Sequence, residues 1–190
     1  MGQRVYAGRF LSRGVISAAG VIATLAFALP ARAESRRHDG FYAAANVGVG
    51  YWGESEPGTP TDYKDVNIPV SLWSGYTYGS VAFGGGLTWD HFVLYSVALF
   101  ADIYPNPKGG FHIMPSLGWG VMFPTFNFPT GPVLGVGVGY DFWVGSEVSM
   151  GVMARMTYAP LYEDNNDANY SGDAHYTVYT PTLLYTVTYH

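Results

Sequence analysis

The chain contains no cysteine. Disulfide scaffolds, thiol catalysis and cysteine-ligated zinc are therefore excluded. Charge is also scarce: Asp, Glu, Lys and Arg make up 12% of the 190 residues, against roughly 25% in ordinary globular domains. A disordered chain would be rich in charge and poor in aromatics, and a coiled coil would need Ala, Glu, Lys and Leu at helical spacing. Both classes drop out. Cations number 9 against 14 anions, for a net charge of −5, and no basic cluster lies beyond the N-terminus. Nucleic acid is not an expected partner. Uninterrupted apolar helices are missing too. Val66–Trp89 and Phe111–Tyr140 carry no Asp, Glu, Lys or Arg, but the second holds Pro115, Pro124, Pro129 and Pro132 with six glycines. A helix interior loses about 1 kcal/mol per Gly and about 3 per Pro relative to Ala.

What the chain does have is glycine, 25 residues, and aromatics, 17% of the total with 16 Tyr, 11 Phe and 5 Trp. The length fits one domain. The N-terminus reads as an export signal. Arg4, Arg9 and Arg13 precede an uncharged run from Val15 to Leu29, followed by Ala31-Arg32-Ala33. A basic start, an apolar middle and an A-x-A end predict cleavage between Ala33 and Glu34. The apolar run is shorter than the ~20 residues of a spanning helix. The mature chain, residues 34–190, keeps only Arg36, Arg37, Lys64, Lys108 and Arg155 as cations and is strongly acidic.

The mature sequence alternates with period two, the signature of strands whose side chains point to opposite faces. At the C-terminus Tyr179, Pro181, Leu183, Tyr185, Val187 and Tyr189 share one face, and Thr180, Thr182, Leu184, Thr186 and Thr188 the other. Equivalent patterns run through Phe41–Trp52, Val93–Tyr104, Phe111–Phe123, Leu134–Val144 and Val148–Tyr158, with less regular ones over Ile68–Tyr78 and Val81–Trp89. That makes eight strands. Their charged residues, Asp102, Asp141 and Arg155, all fall on the glycine-rich face. The opposite face is too apolar to point at water, whereas a soluble barrel shows its polar residues outward. A membrane-embedded barrel with a small, polar lumen is the expected architecture. The short connections 78–80, 106–110 and 145–147 are read as periplasmic turns. The connections 53–65, 124–131 and 161–174 are read as external loops. Asp90-His91 is brief for an external loop, and it leaves the pairing of the third and fourth strands open.

Several segments carry a likeness: Asp39-Gly40-Phe41-Tyr42, the run from Tyr104 to His112, Gly139–Val144, and the closing Leu184–His190. With these the chain resembles the small eight-stranded outer-membrane β-barrels of the OmpA/OmpX type, and more closely uncharacterised Gram-negative outer-membrane barrel-domain proteins. The resemblance implies an all-β, eight-stranded antiparallel up-and-down barrel and the outer membrane as its address. It also implies outer-membrane lipid and the insertion machinery as partners. Many such barrels end in Phe or Trp; here the final residue is His190, after Tyr189.

The candidate site is a lumen cluster. Asp102 and His112 flank one turn and should be near-neighbours, and Asp141 lies close to the same end. A carboxylate–imidazole pair could do acid–base work. The plainer reading is a plug of ionisable groups satisfying one another, since such narrow barrels are filled by side chains. Arg155, the sole inward cation, should pair with a lumen carboxylate, because unpaired burial is costly. His112 and Ser116 share a face but lie about 13 Å apart along a strand, so they form no catalytic pair. The loop Glu163–Asn169 with Asp173 is rich in oxygen ligands, but it lacks the glycine and closing glutamate of a calcium loop. Trp52, Trp73, Phe100, Met114, Met122, Trp143 and Met153 fall on the lumen face and oppose an open pore. The expectation is a non-catalytic structural or surface-interaction protein that meets an external ligand through its loops, with no cofactor or metal. A lipid-modifying enzyme or a narrow solute channel are the alternatives.

Overall fold

The computed structural model describes residues 38, 40–55, 63–90, 93–123, 128–163 and 174–190. The export signal and its cleavage site at Ala33–Glu34 lie outside the described residues, as does most of the acidic 163–173 loop. The described residues form strands β1 (Gly40–Ser55), β2 (Tyr63–Asn67), β3 (Val70–Tyr78), β4 (Val81–Asp90), β5 (Leu94–Ile103), β6 (Phe111–Met122), β7 (Thr130–Trp143), β8 (Val148–Glu163) and β9 (Ala174–Tyr189). Each pairs antiparallel with its neighbour, and β1 pairs with β9 to close the sheet on itself. β2 and β3 share one register against β1, running from Gly50↔Asn67 to Val47↔Val70. Between them Gly48 N–H donates to the Pro69 carbonyl at 3.1 Å. They are one wall segment interrupted at Pro69, which has no N–H to offer. The barrel is therefore eight-stranded, as the alternation predicts.

The alternation sorts neighbouring residues of the same type. Leu183 is 57% exposed and the adjacent Leu184 2%; only strand parity separates them. On β7, Leu134, Val136, Val138, Tyr140 and Phe142 face outward, while Val133, Gly137, Gly139 and Asp141 are buried. The open question at Asp90-His91 is settled. β4 and β5 are antiparallel neighbours with Asp90 opposite Leu94, and Val93 N–H donates to the Asp90 carbonyl at 3.1 Å. At the other end Gly79, with φ +65°, turns β3 into β4, a left-handed geometry that glycine adopts without strain.

Several expected boundaries are too short. β1 runs on to Ser55 and β2 starts at Tyr63, so part of the expected loop 53–65 is paired strand. β8 and β9 extend into the expected 161–174 loop, with Tyr162 opposite His175. These upper ends carry Tyr, Lys, Asp and His on both faces. Away from an apolar environment the alternating pattern that marks a strand fades, although pairing continues.

The interior is filled at two levels by apolar side chains. Tyr42, Trp73, Phe100, Met114, Met153 and Leu184 pack in mid-lumen. Trp52, Leu94, Met122, Val133, Leu161 and Val178 pack toward the Ser55, Glu163 and Ala174 ends of β1, β8 and β9. The lumen is occupied by side chains, as expected for eight strands.

Candidate functional site: a polar clasp at the lumen floor

The inward positions of β5, β6 and β7 nearest the short turns converge on one network. His112 Nδ1 lies 2.7 Å from Asp102 Oδ1. Asp102 Oδ2 accepts from Tyr42 (2.9 Å) and Tyr104 (3.0 Å). Tyr104 Oη also lies 3.3 Å from Asp141 Oδ2, and Asp141 Oδ1 accepts from Thr186 at 3.0 Å. His112 Nε2 stands 3.9 Å from Asp141 Oδ1. Asp102, His112 and Asp141 are each at most 2% exposed, so the imidazole lies between two carboxylates out of contact with water. Gly139 makes this possible: a Cβ there would collide with the His112 ring.

The network continues through both ends of the described chain. Ser149 Oγ is 3.0 Å from His190 Nε2, His190 Nδ1 is 2.9 Å from His38 Nδ1, and His38 Nε2 is 3.0 Å from the Gly109 carbonyl. A carbonyl can only accept, so His38 carries its proton on Nε2. Its Nδ1, when neutral, accepts from His190 Nδ1–H. His190 Nε2 then accepts from the Ser149 hydroxyl. One orientation of hydrogens thus satisfies four groups in series, and it requires both imidazoles neutral. Burial holds His190 down to about 2, and it also lowers His38 from its ordinary value. Burial, with the carboxylates and Tyr42 beside it, raises the Tyr104 phenol well above its usual range. His38 stacks on Tyr104 at 3.6 Å, and Tyr104 stacks on His112. Two backbone bonds, His38 N–H to Pro107 and His190 N–H to Glu147, fasten the chain ends to two of the short turns.

Asp102, His112 and Asp141 are therefore brought together as expected. Arg155 is not with them. It lies higher in the lumen, where its guanidinium donates to Ser116 Oγ at 3.2 Å and sits 5.1 Å from the Trp73 ring centroid. Gly135 leaves the space it occupies. The negative charge acting on it is Asp90's. A hydroxyl and a ring face, rather than an abutting lumen carboxylate, solvate its head. Ser116 is thus engaged by Arg155 and forms no pair with His112. Sequence reasoning missed Tyr42, Tyr104, Ser149, Thr186, His38 and His190 as members of the cluster. Parity could have found His190, two places beyond the inward Thr188, and Tyr104, two places beyond Asp102. His38 precedes the first strand and carried no periodic signal.

Chemically the cluster offers a buried Asp–His pair and, apart from it, a Ser149 hydroxyl on His190. His112 Nε2 has no hydrogen-bond partner, so no hydroxyl is placed for it to activate. Among the described residues no group of three or more His, Cys, Asp or Glu is arranged to hold a metal ion.

No family model matches the chain, and no curated protein matches it. Solved structures do. Neisserial surface protein A superposes with a TM-score of 0.51 at 16% identity, covering 78% of this chain and 96% of that one. The chain has the fold of the small outer-membrane barrels. Two others of that architecture match less well. One is Ail, the attachment invasion locus protein of Yersinia pestis, in complex with the heparin analogue sucrose octasulfate (TM-score 0.46, 13% identity, 77% and 99% covered). The other is OprG of Pseudomonas aeruginosa (0.37, 9%, 83% and 100%).

Proposed function

We propose that the protein is an integral outer-membrane barrel with a non-catalytic role, structural or in surface interaction through its external loops. The observation that carries this reading is the outer wall. From Leu134 to Phe142 every outward residue of β7 is apolar or Tyr and about half exposed. That span approaches the 9–11 tilted residues that cross a bilayer. Outward Val97, Leu99, Leu117 and Leu183 continue the belt around the barrel, each more than half exposed. Tyr51, Tyr95, Trp119, Tyr158 and Tyr179 lie on the same outer face toward the upper rim, and Phe41, Tyr76 and Phe83 toward the floor. Such aromatic girdles sit at the two membrane interfaces of barrels.

The clasp supports a closed floor rather than chemistry. Its carboxylates and imidazoles are paired with one another and buried. Fractionation of cells producing the full chain tests the membrane reading. The processed protein should sediment with outer membranes, need detergent for extraction, and migrate differently on gels before and after boiling. Recovery as a water-soluble species without detergent would overturn it. Two further measurements test its non-catalytic part. The mass of lipid A should not change on overproduction, and planar bilayers should show no discrete conductance. A lipid mass change abolished by His112→Ala would establish the enzyme, and stepwise currents the channel.

A further inference from the structure

The barrel wall is bonded unevenly, and one seam differs from the rest. The β7–β8 ladder pairs Thr130 with Tyr162 and resumes at Leu134 with Tyr158. The three rows between them are missing. By that register Pro132 lies directly opposite Pro160. Residues opposite each other in an antiparallel pair alternate between exchanging two N–H···O=C bonds and exchanging none. Two facing prolines at a bonded row remove both donors at once, and with them the rows on either side. A stretch of about 13 Å along the strands is left without an interstrand bond. Pro115 on β6 and Pro181 on β9 also interrupt their ladders, but each faces a residue with an N–H, Ala101 and Tyr51, and each gap is narrower. Among the described strand pairs, only β7–β8 sets proline against proline.

The two sides of this seam are both apolar. Outside, Trp119, Leu134, Tyr158 and Tyr162, each more than two-fifths exposed, flank the partly buried prolines. Inside lie Val133, Ala159 and Leu161, all at most 2% exposed and part of the upper lumen cluster. The strands touch: Gly131 packs on the Pro160 carbonyl with no room for a Cβ. Contact alone holds them there, so parting them breaks no hydrogen bond and bares no donor to hydrocarbon. The polar groups left in the seam are the Pro132 and Pro160 carbonyls, which face no N–H. Below it Trp73, Phe100 and Met153 fill the lumen, so anything entering from the side stops in the upper third.

We propose that the Pro132–Pro160 seam of β7 and β8 is a lateral site that takes one acyl chain of a surrounding bilayer lipid, its end lying against Val133, Ala159 and Leu161. The occupant is a bilayer lipid because the seam opens on the belt already assigned to the membrane, and the inference rests on that assignment.

The test uses the processed chain refolded into phosphatidylcholine vesicles in which one lipid carries a diazirine on its acyl chain. Irradiation and peptide mass mapping should place label on the inward residues Val133, Ala159 and Leu161 as well as on the outward Leu134 and Tyr158. Pro132→Val combined with Pro160→Thr restores both donors and should lower inward labelling at least fivefold while outward labelling stays the same. A disulfide between Val133→Cys and Ala159→Cys, which face each other by register, should do likewise and be reversed by reductant. Label confined to outward residues in the unmodified chain, or inward label unaffected by both variants, overturns the lateral site and leaves the membrane reading standing. Absence of label from outward residues as well overturns both.

Discussion

The floor and the upper third of this lumen are built from the same strands and filled in opposite ways. At the floor Asp102, His112, Asp141, Tyr42 and Tyr104 are joined by directional hydrogen bonds, and Ser149 is bonded to His190. Higher up, Trp52, Leu94, Met122, Leu161 and Val178 form a packed apolar cluster. The floor also gathers four separate pieces of chain: His38, the 106–109 turn, the 145–147 turn and His190. Fastening such pieces needs geometry that only hydrogen bonds specify, whereas a tier bounded by long paired strands needs only volume. A directional network is sensitive to the loss of one member and to protons. A packed tier is sensitive to volume and indifferent to pH.

The largest effects should separate the two tiers by chemistry. Asp102→Ala deprives His112, Tyr42 and Tyr104 of their shared acceptor. Breaking one partner out of a buried ionic pair costs about 3–5 kcal/mol, so the urea midpoint of the refolded barrel should fall steeply. Leu161→Ala in the upper tier should cost about 2–4 kcal/mol, the range of a truncated buried aliphatic. Asp102→Asn should recover part of the loss at the floor, since it keeps an acceptor. No polar substitution should rescue Leu161. Equal rescue at both tiers would remove the distinction.

Acid should discriminate next. The His190 imidazole resists protonation until about pH 2, and His38 is lowered in the same direction. In the unfolded chain both take a proton near 6.5. Between those values the unfolded state binds more protons at these two groups than the folded one, so their contribution to stability falls as pH drops below about 6.5. His190 alone should contribute a loss of about 2 kcal/mol between pH 6.5 and pH 5. Urea unfolding of the refolded protein at pH 7.5 and pH 5 measures it. His190→Phe should flatten part of that dependence, while Leu161→Ala should leave its slope unchanged.

How much of this was legible follows from what each part of the sequence has to satisfy. The barrel was readable because one face of every strand meets an apolar environment, which imprints period two from Phe111 to Phe123 and from Tyr179 to Tyr189. Asp102, His112 and Asp141 were readable as rare ionisable residues on a face of glycine. The ends of β1, β2, β8 and β9 were not, because at Tyr63-Lys64-Asp65 neither face is constrained. Arg155 was placed on the right face, where the buried Asp90 acts on it, but its head contacts Ser116 and Trp73. Register could set it above Asp141 but could not show that Trp73 would meet it across the lumen. His38 was invisible because its role depends on a turn some 70 residues away. The seam was hidden for a similar reason: Pro132 and Pro160 mean little singly, and their opposition exists only once β7 and β8 are in register.

The smallest expected effect probes whether both tiers are equally satisfied. Thr77 near the floor and Thr180 in the upper third each bury a hydroxyl without a hydrogen-bond partner. An unpartnered buried hydroxyl opposes folding by about 1–3 kcal/mol unless water reaches it, and Val has nearly the same shape. Thr180→Val, opposite the buried Thr157, should be neutral or stabilising by up to about 1 kcal/mol. Thr77→Val should be slightly destabilising if a bound water ties its hydroxyl into the polar floor, because that water would lose a partner. The sign of the difference between the two variants, read from urea midpoints under identical conditions, reports whether hydration stops at the floor. Two gains of equal size would mean that the polar clasp is as dry as the apolar tier above it.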